Sequence, residues 1–411
     1  MITRRIAGQL LAATAAVAVA NKVGGASAEQ VVKVGINLPL TGADAESAVR
    51  IQHAIQLAFE DANASDAVPG FRFEAVSFDD GTATAGQYDP AQAATNARKM
   101  VSDPQIVAAV GPQMSGSGKA MSPILSEGDL AIITPSSTNP DITNPKFASQ
   151  YRPAGKAIYF RTVTTDAFQG PNMANYMADN LHIKTIYILD DSGAYGVGIA
   201  DAFQQQIGKK GVKVLGRDRL DPKAADYNAV LTKIKSLNPD AIYYGGVGQA
   251  GVKLAKQAYD IMPKVIKAGG DGVMSPELLT AAGFPAAQGW YATQAAPHVA
   301  GDNKAAQFVA HYKGKYGQSP DDYSITAYDA GLVIVDAAKR LVAEKKQINK
   351  SNMRDAIQTA KVPTIQGTVM FDENGDIKDR TVSVYQVNKD MTKPLDDVSA
   401  QYNYIGVAPQ S

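Results

Sequence analysis

The feature that most constrains this chain is a rhythm: from residue 31 onward, short apolar runs alternate with stretches of helical periodicity, and the alternation restarts once. Residues 31–36 read as a strand and 46–63 as a helix, with Val49, Ile51, Ala54, Ile55, Ala58 and Phe59 near one face. Residues 71–78 alternate as a strand, 90–101 are helical, 106–110 form a short buried strand, 118–126 are helical and 130–133 give a further strand. After a loop-like stretch, 135–153, strands at 158–162, 185–189, 212–215, 241–244 and 265–268 alternate with helices at 166–180, 197–207, 227–236 and 249–259. Asp166 is placed to cap the first of these helices. Repeated strand–helix–strand units build a mostly parallel sheet with helices on both faces. Two such sets predict an α/β chain of two doubly wound parallel-sheet lobes.

The last third departs from the rhythm. Helices are expected at 303–315, 325–341 and 351–359, then strands at 367–371 and 381–387 around Asp372-Glu373-Asn374-Gly375, a hairpin turn by its Asn-Gly signal. No fixed-period repeat is present.

The first 28 residues have the layout of a signal peptide: Arg4 and Arg5, an uncharged apolar run over 6–20, and the small-x-small site Ala26-Ser27-Ala28. The apolar run is shorter than the ~20 residues a membrane span needs. Thr3-Arg4-Arg5 hints at twin-arginine export, but the apolar pair that follows such a motif is missing, which favours the general route. The 40 basic and 40 acidic residues of the full chain become 37 and 40 once 1–28 are removed. That balance, with no charge run, argues against a nucleic-acid partner. The sequence has no cysteine, so disulfides, thiolate metal sites, cysteine nucleophiles and a lipid anchor on cysteine are all excluded. The expectation is an exported, untethered protein, free in a compartment closed by a second membrane.

Several chemistries fail on spacing. His53, His182, His298 and His311 match no metal or zinc-protease pattern. Gly116-Ser117-Gly118-Lys119-Ala120 is half a phosphate loop, but the full motif needs Gly where Gln113 stands and Ser or Thr where Ala120 stands. No Gly-x-Ser-x-Gly elbow occurs, and the 372–376 loop lacks the ligand spacing and distal Glu of a calcium site. No metal and no cofactor is expected.

Two loops invite a ligand. Val110-Gly111-Pro112-Gln113-Met114-Ser115-Gly116-Ser117-Gly118 follows a buried strand and opens a helix. In open α/β sheets ligands bind at such strand ends, and a helix N-terminus favours an anion, so Ser115 with the following N–H groups could hold a carboxylate. Ser and Gly also simply cap helices, and spacing alone leaves both readings open. Ile133-Thr134-Pro135-Ser136-Ser137-Thr138-Asn139-Pro140 ends the next strand. Its two prolines keep it irregular, freeing carbonyls and N–H groups from ladder bonds; alone it reads as a turn.

Through these two loops and the motifs around them, the chain resembles the type I periplasmic binding proteins of ABC importers, in particular the leucine/isoleucine/valine-binding family. The resemblance runs from about Val31 to beyond Tyr385. It is carried by 36–42, Phe78-Asp79-Asp80, the two loops, and Arg161-Thr162 through Asp166 to Gln169-Gly170. It continues in 190–198, 227–235, Tyr243-Tyr244-Gly245-Gly246, Gly270-Asp271-Gly272 and Phe371-Asp372-Glu373-Asn374-Gly375.

The resemblance implies two lobes joined by a three-stranded hinge and closing on a ligand, with lobe 1 at 29–165 plus 295–376 and lobe 2 at 166–294 plus 377–411. It implies that Ser115 takes the ligand α-carboxylate and that Thr138 meets carboxylate and ammonium. The Ser136 carbonyl would accept from the ammonium, and Asp271 would pair with it. Tyr195 and Tyr323 would line the pocket. A zwitterion in a dry site needs both charges matched, and Asp271 with helix N-terminal donors makes a balanced set; Asp271 in Gly-Gly-Asp-Gly is otherwise a turn residue.

Val247 stands where the family often has an aromatic ring, Ser47 near another lost ring, and Gln113 where an apolar residue is common, so the pocket is expected to be wider and more polar. Met114, at the position of a family cysteine, and the longer 81–88 loop read as structural. The implied function is a periplasmic, monomeric, non-enzymatic receptor. It would deliver a branched-chain or other apolar α-amino acid to an inner-membrane permease. A carboxylate or amide ligand on the same fold is the alternative, and an exported hydrolase is a remote one.

Overall fold

A computed structural model describes residues 29–299 and 303–410; the expected leader at 1–28 lies outside the described residues. Strand β1 (Gln30–Leu38), helix α1 (Ala45–Ala64), β2 (Phe71–Asp79), α2 (Pro90–Ser102), β3 (Ile106–Val110), α3 (Ser115–Glu127), β4 (Ile132–Thr134) and β5 (Tyr159–Arg161) come first. The five strands are parallel, in the order β2-β1-β3-β4-β5.

The chain then crosses to a second body: α4 (Asp166–Asp179), β6 (Thr185–Asp190), α5 (Ala194–Lys209), β7 (Lys213–Arg219), α6 (Asn228–Leu237), β8 (Ala241–Gly245), α7 (Gly248–Ile261), β9 (Ile266–Gly269) and β10 (Tyr291–Gln294). It returns to the first body for α8 (Asn303–Tyr316), α9 (Asp322–Ala343) and α10 (Lys350–Gln358). It crosses a third time to β11 (Ser383–Val387) and β12 (Tyr402–Val407). The second sheet runs β12-β11-β10-β9-β8-β6-β7. Strands β7, β6, β8, β9 and β10 are parallel; β11 and β12 close one edge antiparallel. The fold is therefore the two-lobed, doubly wound α/β architecture expected from the sequence.

Each sheet is covered on both faces because its strands are apolar at consecutive positions, and successive side chains point opposite ways. Ile133 joins the core beneath α1 and α9, whereas Ile132 joins the core beneath α2 and α3. In the second sheet Ile186 and Ile188 face one core and Tyr187 and Leu189 the other. Helix α9 lies close along α1: a Cβ on Gly331 would sit 2.6 Å from that of Ala58. No helix among the described residues is long and apolar enough to cross a membrane.

Three expectations are corrected. Helix α3 starts at Ser115 rather than 118, since Gly116 and Gly118 weaken the helical signal without preventing the turn. Helix α4 has Thr165, not Asp166, at its N-cap, and Asp166 is buried within the first turn. The 372–376 segment is the tight antiparallel turn expected, with Phe371 bridging Ile377, but the strands at 367–371 and 381–387 do not pair with each other. Thr368–Met370 pairs with Lys361–Pro363, while β11 joins β10 in the other lobe. Within the turn the Asp372 carboxylate accepts from the N–H groups of Asn374 at 2.9 Å and Asp376 at 3.0 Å. The 81–88 loop is pinned by a short pairing of Gly81–Thr82 with Gln87–Tyr88. Strands β10 and β12 escaped the sequence reading; β10 has four residues, and Gly406 interrupts the apolar pattern of β12.

Candidate functional site

A 2-1-3-4-5 parallel sheet has its switch point between the first and third strands, and the crevice there is where ligands sit. Both lobes have it. In the first, β1 leads to Asp44 and Ser47 and β3 leads to Gln113 and Ser115; in the second, β6 leads to Tyr195 and β8 to Val247. The two crevices face each other over a half-open cavity of about 480 Å³, the solvent space at its mouth included. Asp44, Ser47, Gln113, Met114, Ser115, Ser136 and Tyr323 line it from lobe 1. Tyr195, Val247, Gly248, Asp271, Gly272, Met274, Ser275 and Glu277 line it from lobe 2. Seven of the eight residues singled out in the sequence therefore meet here. The eighth, Thr138, is fully buried without lining the cavity, and its carbonyl accepts from the Asp166 N–H at 3.0 Å.

Ser115 is the first residue of α3, whose first-turn N–H groups lack partners within the helix. Its hydroxyl accepts from the Asn139 N–H at 3.2 Å and from the Ser137 hydroxyl at 3.3 Å. The 135–139 loop is more tightly held than its prolines suggested. The Thr134 hydroxyl accepts from the Ser137 N–H at 2.9 Å, and Ser136 donates to the Gln113 carbonyl at 3.1 Å. Arg161, 0% exposed, donates to the carbonyls of Ser137 at 2.5 Å and Asn139 at 2.8 Å and pairs with Asp376 at 2.7 Å. The last strand before the chain enters lobe 2 thus anchors the loop that carries Ser136 and Thr138.

Gly111 shapes the other loop. Its φ is +113°, and a Cβ there would lie 2.3 Å from the Asn37 carbonyl oxygen. Gly111→Ala is expected to cost about 1–3 kcal/mol through the strained backbone and the clash. A urea midpoint equal to that of the unaltered protein would show that the loop has another way to present Gln113 and Ser115.

Across the cavity Asp271 follows β9 and is 2% exposed. Tyr195 donates to its Oδ1 at 2.5 Å, and its N–H donates to Gln169 Oε1 at 3.0 Å; Oδ2 has no partner. Burial pushes the Asp271 carboxyl above the usual carboxylate range, with the Tyr195, Tyr323 and Gln169 side chains working against the shift. Asp166 behind it is raised too, by burial first and then by the Asp271 charge. The cavity lining contains three acids and no Lys, Arg or His.

Asp44, Gly248, Met274, Ser275 and Glu277 were missed, and Met114 was misread. Asp44 sits at the N-cap position of α1 and would pass for a cap, yet its side chain makes no cap bond. Glu277 and Ser275 lie in a short helical turn after Asp271, where an acid looks like ordinary first-turn charge. Met114, read as structural, faces the cavity. The lobes also touch directly: the Asn139 amide donates to the Ala194 carbonyl at 2.8 Å, and the Ser47 N–H to Glu277 Oε1 at 3.0 Å.

Two doubly wound lobes, three crossings and a cavity between them lined by both define the class of bilobal solute receptors. The chain belongs to the periplasmic binding protein family, whose model matches residues 31–392. It is 30% identical over 357 residues to the Leu/Ile/Val-binding protein BraC3 of Rhizobium johnstonii, covering 86% of this chain and 91% of that one. It is 28% identical over 379 residues to a leucine-, isoleucine-, valine-, threonine- and alanine-binding protein of Pseudomonas aeruginosa, covering 92% and 96%. Among solved structures, the leucine-binding protein LivK of Thermotoga maritima matches with a TM-score of 0.77 at 27% identity, covering 92% and 98%.

Proposed function

We infer that this chain is the substrate-capturing component of an ABC importer, acting in the periplasm and holding an α-amino acid between its lobes for delivery to the permease. The observation that carries the reading is the buried Asp271 carboxylate, with one oxygen held by Tyr195 and the other unpartnered at the cavity. Facing lobe 1 supplies Ser115 and the α3 N-terminus, which suit a carboxylate. An ammonium at Asp271 and a carboxylate at Ser115 match the two charges of an amino acid. A plain carboxylate would leave Asp271 unmatched beside a second anion. Met114, Val247 and Met274 offer apolar contact to a branched or unbranched side chain.

No bond-making step is assigned to this site. Its serines have no imidazole or amine beside them among the lining residues. His53 is stacked on Tyr316 with ring centroids 4.0 Å apart, and His298 is hydrogen-bonding distance, 2.9 Å, from the Tyr385 hydroxyl. We take the lobes as 29–165 plus 295–376 and 166–294 plus 377–411, the molecule as a monomer without a lipid tether, and closure as the signal read by the permease.

A thermal-shift screen tests this. A ligand at a hundredfold excess over its Kd stabilises the native state by about 2.7 kcal/mol. L-amino acids, leucine, isoleucine and valine among them, are expected to raise Tm, and their des-amino analogues to do so far less. Equal shifts for both would overturn the amino-acid reading in favour of a carboxylate.

A further inference from the structure

The ammonium and carboxylate of an amino acid leave part of the cavity's chemistry unused. Asp44, 4% exposed, presents a carboxylate oxygen, Oδ2, with no partner. Gln113, 8% exposed, spends its Nε2 on the Ser47 hydroxyl at 3.3 Å and leaves Oε1 without a partner. Glu277 enters from lobe 2, its Oε1 accepting from the Ser47 N–H at 3.0 Å. All three side chains line the same cavity as Asp271. They gather around Ser47: its hydroxyl accepts from Gln113, its N–H donates to Glu277, and Asp44 holds the N-cap position of the same helix three residues earlier. Every unpartnered buried side-chain atom in the lining is an acceptor, and no lining side chain carries positive charge.

Unpaired buried acceptors are costly, and a buried carboxylate more so, unless a donor or cation arrives. We propose that Asp44, Glu277 and the Gln113 carbonyl form a subsite for a cationic side-chain end, extending the ligand range to basic α-amino acids such as lysine, ornithine and arginine. The proposal rests on the amino-acid reading above. A basic amino acid places its α-ammonium at Asp271 and its second cation between the lobes, and its methylene stem suits Met114, Val247 and Met274.

The subsite has a pH signature. Asp44 is pushed up to about 7, chiefly by burial and then by Glu277, with smaller contributions from Asp191 and Asp80 and an opposing one from the Tyr88 backbone. Glu277 is pushed up to about 7 by burial, with Glu46 adding to the shift and the Ser47 N–H and Ser275 opposing it. Without ligand both hold protons below that pH, and a cation must displace them. Affinity for lysine relative to its neutral isostere norleucine therefore rises with pH between 6 and 8. The ratio cancels the contribution of Asp271, which both ligands use.

The test is calorimetry with L-lysine, L-ornithine, L-arginine, L-norleucine and L-leucine on the unaltered protein, Asp44→Asn and Glu277→Gln. At least one basic amino acid is expected to bind. Each substitution should weaken it more than tenfold while norleucine and leucine hold or gain affinity. Leucine binding without any basic amino acid, or equal losses for lysine and norleucine, would overturn the subsite and leave the amino-acid reading standing. Failure of all five ligands would overturn that reading and the subsite with it. Asp44→Asn fills the same volume and removes a buried charge, and a Tm no lower than that of the unaltered protein would confirm that the variant is folded.

Discussion

Asp271→Asn is expected to weaken amino-acid binding by roughly 30-fold to several-thousand-fold, because truncating one partner of a buried, hydrogen-bonded charge pair costs about 2–5 kcal/mol. The unliganded protein should lose nothing. Asn keeps an oxygen to accept from Tyr195 and removes a buried charge that faces Asp166. The sign of the pH effect checks the same point. Burial holds the Asp271 carboxyl above its unfolded value, so the native state keeps its proton more tightly than the unfolded chain. The Asp271 contribution to stability is then greatest in acid and is lost as pH rises past the ordinary carboxylate range. Asp271→Asn should flatten that decline, read as a smaller fall in Tm from acid to neutral pH. Unchanged affinity for every amino acid would return Asp271 to the role of a turn residue.

Arg161→Met is expected to destabilise the protein by about 3–5 kcal/mol, because removing one partner strands the groups it paired inside the protein. At about 2–4 °C per kcal/mol for a lobe of this size, Tm falls by of order 10 °C. Arg161 binds two carbonyls of the 135–139 loop, the Thr143 hydroxyl at 3.1 Å and the Asp376 carboxylate. Ligand affinity should fall with stability, since that loop carries Ser136. Arg161→Lys keeps the charge but cannot span the same fork of acceptors, and should recover only part of the loss. A Tm within a degree or two of the unaltered protein would show that the loop is held by Thr134 and Ser136 alone.

The lobes were legible because both sheets are buried on both faces, so apolar runs such as 106–110 and 241–244 stand out between helices. Local periodicity could not say which strands pair. Residues 367–371 and 381–387 look like one hairpin and belong to different lobes, since the turn between them is satisfied by its own Asp372. The site was legible where a residue lies in a motif loop, as Ser115, Ser136 and Asp271 do. Asp44 and Glu277 were not, because an acid beside a helix start has a commonplace explanation, capping. Only the three-dimensional arrangement shows that Asp44 makes no such bond.

Helices α1, α3, α5, α7 and α9 all begin at the cavity, each contributing a lining residue from its first turn or cap. An end-on helix presents about half an elementary positive charge, carried by peptide groups. The cavity thus carries its negative charge on replaceable side chains and its positive charge on backbone. Evolution or design can rewrite the first residue by residue, changing what kind of side chain is welcomed. The second is inherited with the fold, so receptors that diverge in selectivity on this scaffold would go on gripping the same acid group.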